Sequence, residues 1–306
     1  ILMGIAAYRI YMNNKQGKND HGGYFNYLVQ LLISFLWAII FFNLRLYGIS
    51  FILICIFDLK FITRRESGGT VMKNAQGLLE FINSSKTAFQ AAYEIKERLD
   101  KSGYKELHEC DEWNLEKNGK YYVMKNDSAV IAFEVGSGDI EKDGFRLIGA
   151  HTDSPGFRIK PNPEMSVEGH YFKLNTEVYG GPILSTWFDR PLALAGRVAI
   201  KGASPLKPET RLVNINKPLM IIPNIAIHMN RTVNEGYNYN KQVDTLPLLG
   251  FINEKLEKED YLMNILAEEL KVNKEDILHF ELMPYEYEKG SLVGMNEEMI
   301  SCGRLD

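Results

Sequence analysis

Hydrophobic spacing changes character three times along the chain. Residues 27–44 form an uncharged apolar stretch rich in Leu, Ile and Phe, and a second apolar run covers 46–57 after Arg45. From Lys73 the spacing becomes helical, with Leu78, Leu79, Phe81 and Ile82 on one side, until Ser84-Ser85 interrupts it. Thr87 is placed to cap a second helix in which Ala88, Ala92, Ile95 and Leu99 recur, and Gly103 suits its C-terminal stop. Glu94–Arg98 and Glu97–Lys101 lie four apart and add to that helix. The period then drops to two. Residues 120–125 and 128–135 read as strands joined by Asn126-Asp127, a tight hairpin signal. Residues 145–150 are predicted to be a buried strand running into His151.

After Pro155 short β-like runs at 157–160, 171–174, 194–200 and 219–222 alternate with Gly and Pro punctuation. Helices are predicted around 246–255 and over 260–270, then a strand over 277–283. No internal repeat is visible. The pattern predicts an α/β protein in which an α/β domain beginning at 72–154 is interrupted by a β-rich insertion, 155–299, and resumes at 300–306.

Charge sharpens the break near residue 71. Residues 1–71 carry seven Lys/Arg against three Asp/Glu, whereas 72–306 carry 28 against 36. The acidic body argues against nucleic acid as a partner. The 45% hydrophobic and 24% charged content is that of a soluble globular protein, and Cys55, Cys110 and Cys302 form no CxxC spacing, which points to a reducing, cytoplasmic setting. The 27–44 run is near the lower limit of ~17–25 residues for a membrane-spanning helix. Gly68-Gly69 shortly before Met72 offers another reading, because two glycine codons resemble a ribosome-binding site ahead of a start codon. Residues 1–71 are accordingly expected to be a translated leader, with a membrane anchor as the alternative.

His151-Thr152-Asp153 is the leading chemical candidate. On an extended segment its outer two side chains share a face, so an imidazole can hold a metal while the carboxylate fixes its tautomer from behind. The strand-end position favours a ligand site in an open α/β sheet. Asp306 offers a hard oxygen ligand, and a surface ion pair with its neighbours is its plain alternative. His228 interrupts the apolar run 223–231 and, from its surroundings alone, reads as a core histidine.

Gly149-Ala150-His151-Thr152-Asp153-Ser154-Pro155 resembles the metal-binding motif of the aspartyl aminopeptidase-like family of zinc exopeptidases. So do, in order, Glu177-Val178-Tyr179-Gly180-Gly181, Ser185-Thr186-Trp187-Phe188-Asp189-Arg190, Ile225-Ala226-Ile227-His228, Asn234-Glu235-Gly236 and Arg304-Leu305-Asp306. The resemblance begins near Met72 and runs to the last residue. It implies a zinc-exopeptidase-type α/β/α catalytic domain interrupted by a β-rich dimerisation domain, and removal of N-terminal residues from peptides at a two-zinc site. His151 would bind one Zn2+ and Asp306 would bridge two, while Asp153 would orient His151. His228 would reach a neighbouring subunit's active site and stabilise the reacting carbonyl. The family builds large homo-oligomers from dimers, and places its general-base glutamate and remaining metal ligands beyond the Arg-Leu-Asp motif. This chain is therefore expected to be an incomplete, inactive part of the enzyme. A non-catalytic oligomerisation module, and a peptidase tethered to a membrane through 27–57, are the alternatives.

Overall fold

The computed structural model describes residues 68–252 and 260–305. The chain divides into two compact units, Ile1–Asn74 and Ala75–Asp306. Of the first, only the start of a helix is described, so the leader and anchor readings of 1–71 fall almost wholly outside the described residues. Among the described residues no helix is long and apolar enough to cross a membrane.

Helix α1 spans Gly68–Ser84 and α2 spans Ala88–Lys101. The Thr87 hydroxyl accepts from the Phe89 N–H at 3.2 Å, satisfying one of the orphan donors of the first turn of α2. At the other end Gly103 takes φ +79°, which closes the helix while the Tyr104 N–H returns to the Leu99 carbonyl at 3.0 Å. Buried Ala91 and Ala92 let α2 lie close to its neighbours. Its polar edge holds Tyr122, whose hydroxyl meets Lys96 Nζ and Asp100 Oδ1, each at 2.7 Å.

Tyr122 belongs to a three-stranded sheet of β1 (Lys105–Glu106), β2 (Lys120–Lys125) and β3 (Ala129–Glu134). Asn126 and Asp127, at φ +50° and +56°, make the predicted hairpin turn between β2 and β3. Both are residue types that tolerate the left-handed region. A short helix, α3 (Ile140–Asp143), follows.

The predicted strand at 145–150 does not form. Phe145, Leu147 and Ile148 are 75%, 89% and 101% exposed. A strand needs an adjacent strand to satisfy its N–H and C=O groups. None lies beside this segment among the described residues, so its apolar run stays open.

From residue 156 onward most of the described elements are strands. β4 (Gly156–Val167), β5 (Tyr171–Tyr179) and β8 (Leu248–Phe251) form one antiparallel sheet. β6 (Leu192–Ser204) is the centre of a second, flanked by β7 (Lys207–Met220) and β9 (Ile277–Glu286). Phe157, Leu174, Leu194, Val198, Val213, Ile215 and Leu282 pack in one core, which α4 (Tyr261–Leu270) closes with Leu262 and Leu266. Residues 248–251, expected to be helical, are β8 instead. Pro247 and Gly250 weaken a helix there, and β5 and the backbone of Ile221 offer hydrogen-bond partners on both sides. Residues 246, 247 and 252 are not helical either, and 253–255 lie outside the described residues. Finally β10 (Ser291–Val293) pairs with β11 (Met299–Ser301), a strand that crosses the expected boundary at 299/300.

Candidate functional site

The segment carrying His151 is irregular, and its neighbours fix it. Thr152 donates its hydroxyl proton to the Ser128 carbonyl at the β2–β3 turn, 2.6 Å away. Three residues on, Pro155 lies against Gly180, where φ is +69° and a Cβ would come within 3.4 Å of the proline. Gly156 leaves room for the edge of Trp187, whose ring meets Phe157 edge-on at 5.0 Å. Any side chain at position 156 would press on that indole.

Within this frame the imidazole and the carboxylate do meet. His151 Nδ1 lies 2.9 Å from the Asp153 carbonyl oxygen and 3.3 Å from its Oδ1. Two acceptors face Nδ1, an arrangement that favours the neutral tautomer with its proton on Nδ1, the form in which Nε2 can ligate a metal. The other carboxylate oxygen, Oδ2, accepts from the Tyr179 hydroxyl at 2.6 Å. That hydrogen bond, with a smaller contribution from the neighbouring His151, holds the Asp153 carboxyl below its ordinary range; it also pushes the Tyr179 phenol up. The Arg158 guanidinium sits 4.9 Å above the Tyr179 ring.

Of the other predicted residues, only His228 is described. His228 is exposed, on the loop 223–231 with Ile225, Ile227 and Met229, so it is no core histidine. The root of that loop is pinned: Asn224 donates from its backbone and its side-chain amide to the two Asp189 carboxylate oxygens, both at 2.9 Å. Asp189, at φ +59°, donates its own N–H to the Ile222 carbonyl. Asp306 lies outside the described residues. Among the described residues no group of three His, Cys, Asp or Glu is gathered as a metal site. A catalytic zinc normally takes about three protein ligands. The donor chemistry of the His151–Asp153 pair fits one of them together with its supporting carboxylate.

A cleft opens beside this segment between the start of α2 and Arg304, with Lys86, Thr152, Ser154 and Trp187 on its walls. Lys86 and Arg304 lie over the same ring, that of Tyr285, at 5.0 and 5.6 Å. Burial, then the charges of Arg304 and Lys289, bring the Lys86 ammonium down to about 8. Sequence reasoning assigned no role to Tyr179 or Lys86. Tyr179 was visible only inside a longer motif, and nothing in its spacing pointed back to residue 153.

Residues 81–306 match the family model described as aminopeptidase I zinc metalloprotease (M18). The chain belongs to the M18 family. It is 62% identical over 235 residues to the Clostridium novyi protein named "Probable M18 family aminopeptidase 2", covering 77% of this chain and 54% of that protein. Among solved structures, mApe1 of Chaetomium thermophilum is 29% identical with a TM-score of 0.68, over 76% of this chain and 55% of that one. The S. cerevisiae mApe1 dodecamer shares the fold at 23% identity and a TM-score of 0.63, over 76% of this chain and 52% of its own. The chain spans about half the length of the curated relatives it matches. Residues 1–63 match a different family model, TspO/MBR, so the head has a likeness of its own.

Proposed function

We propose that residues 72–306 are the His151-bearing portion of a zinc-dependent M18 aminopeptidase that removes N-terminal residues from peptides. The observation that carries this reading is the His151–Asp153 pair, with Nδ1 held at 2.9 and 3.3 Å and set within an M18 match. His151 would bind one of two zinc ions through Nε2, Asp153 would hold the ring in that tautomer, and Asp306 would bridge the pair of metals. Zinc held there supplies Lewis-acid polarisation of the scissile carbonyl and lowers the pKa of the attacking water. The general-base glutamate and the other ligands belong to the part of the family fold that this chain does not span.

The β-rich region 155–299 would serve as the dimerisation domain of a cytoplasmic homo-oligomer. The exposed Ile225, Ile227 and Met229 beside His228 support an intersubunit role for that loop. From a neighbouring subunit, His228 would donate a hydrogen bond to the oxygen on which negative charge develops.

Mixing this chain with the remainder of the Clostridium novyi relative tests the reading. Aminoacyl-nitroanilide hydrolysis is expected only when both pieces are present, and His151→Ala should abolish it. Turnover by this chain alone, or full complementation by His151→Ala, would overturn the assignment.

A further inference from the structure

Tyr179 ends β5, directly opposite Gly156 of β4 in the antiparallel register. That pairing brings the phenol back over the segment just before β4, where its hydroxyl meets Asp153 Oδ2 at 2.6 Å. Arg158, two residues along β4, covers the ring at 4.9 Å and limits its swing. The turn at Gly180 against Pro155 ties the end of β5 to the start of β4.

A carboxylate on an irregular segment can rotate and offer either oxygen to a metal or to an imidazole. Here Oδ2 is occupied by the phenolic O–H, so Oδ1 is the oxygen turned to His151 Nδ1, at 3.3 Å. We infer that Tyr179 is a positioning residue: by fixing the Asp153 carboxylate, it keeps that group behind the His151 imidazole and out of the metal's own coordination sphere. The inference rests on the proposed zinc role of His151 and adds a third member to the chain of contacts, Tyr179 to Asp153 to His151. Outer partners of a ligating histidine typically change metal affinity by about 10- to 100-fold when removed.

The test uses the whole 306-residue chain complemented by the remainder of the Clostridium novyi relative, with Zn2+ alone as the probe. Zinc affinity is read by competition with a chromophoric chelator, and the His151 ring by 15N spectra of the metal-free protein. Tyr179→Phe is expected to weaken zinc by about 10- to 100-fold and to move the His151 ring resonances. Asp153→Ala should do the same, and the double variant should be no worse than Asp153→Ala, because Tyr179 acts through that carboxylate. Wild-type affinity with unmoved ring resonances in Tyr179→Phe would overturn the inference. So would a double variant whose losses simply add. Unchanged zinc binding in His151→Ala would instead sink the zinc role of His151, and the ring spectra would still decide whether Tyr179 positions it.

Discussion

Lys86 shows how a single side chain couples burial to pH. Its ammonium is half-enclosed beside Arg304 and is brought from 10.5 to about 8, chiefly by lost hydration. In the unfolded chain it returns to the ordinary value. Between about 8 and 10.5 the unfolded state therefore binds more protons, and stability rises with pH. Below about 8 both states carry the proton and the full cost of holding the charge is present. Cys302, whose thiol burial pushes up, opposes this in the alkaline range, as does the Tyr285 phenol, pushed up to about 12. A comparison with Lys86→Met isolates the lysine. The wild-type urea midpoint should gain on that of Lys86→Met between pH 7.5 and 9.5, and parallel profiles would refute the shift. Residue chemistry of this kind was hidden in the sequence, because the partners of Lys86 come from positions some 200 residues away. Thr87, whose role is local, was legible as the cap of α2.

At the scale of elements, β6 is the central strand of the second sheet, and Gly196 is where it meets β9 most closely. A Cβ there would fall 2.0 Å from the Glu281 carbonyl of β9, and the Gly196 carbonyl accepts from Gln90 of α2 at 3.0 Å. Gly196→Ala must push β6 and β9 apart, since the obstacle is backbone. A loss of roughly 1–3 kcal/mol is expected from such overpacking, read as a lower urea midpoint. A midpoint within error of wild type would show that the strands yield freely. Elements whose signals are local were readable beforehand: α2, the β2–β3 hairpin, α4 and β9. β7 was read only at its tail, because Pro208 and Pro218 break its alternation. The apolar spacing of Leu248, Leu249 and Phe251 is too short to separate strand from helix; the breakers Pro247 and Gly250 tell against the helix, and β5 and Ile221 across the fold supply the strand's partners.

For the whole molecule, the informative misfit is the segment before His151. Its sequence has the apolar run of a fully buried strand, yet Leu147 and Ile148 are 89% and 101% exposed. Pattern recorded what this segment is suited to pack against, and the described residues contain no such neighbour. His151 and Asp153 were found because they lie two apart on one segment; the rest of a metal site needs residues brought from elsewhere by the fold, and no local spacing reveals them. The exposed run makes its own prediction. An open apolar edge invites association with other chains, so the isolated protein should bind a hydrophobic dye and self-associate. Leu147→Asp with Ile148→Asp should suppress both and leave the urea midpoint near wild type, since neither side chain is packed. A large fall in midpoint would mean that these residues are buried in solution, and that the edge leading into His151 is already closed.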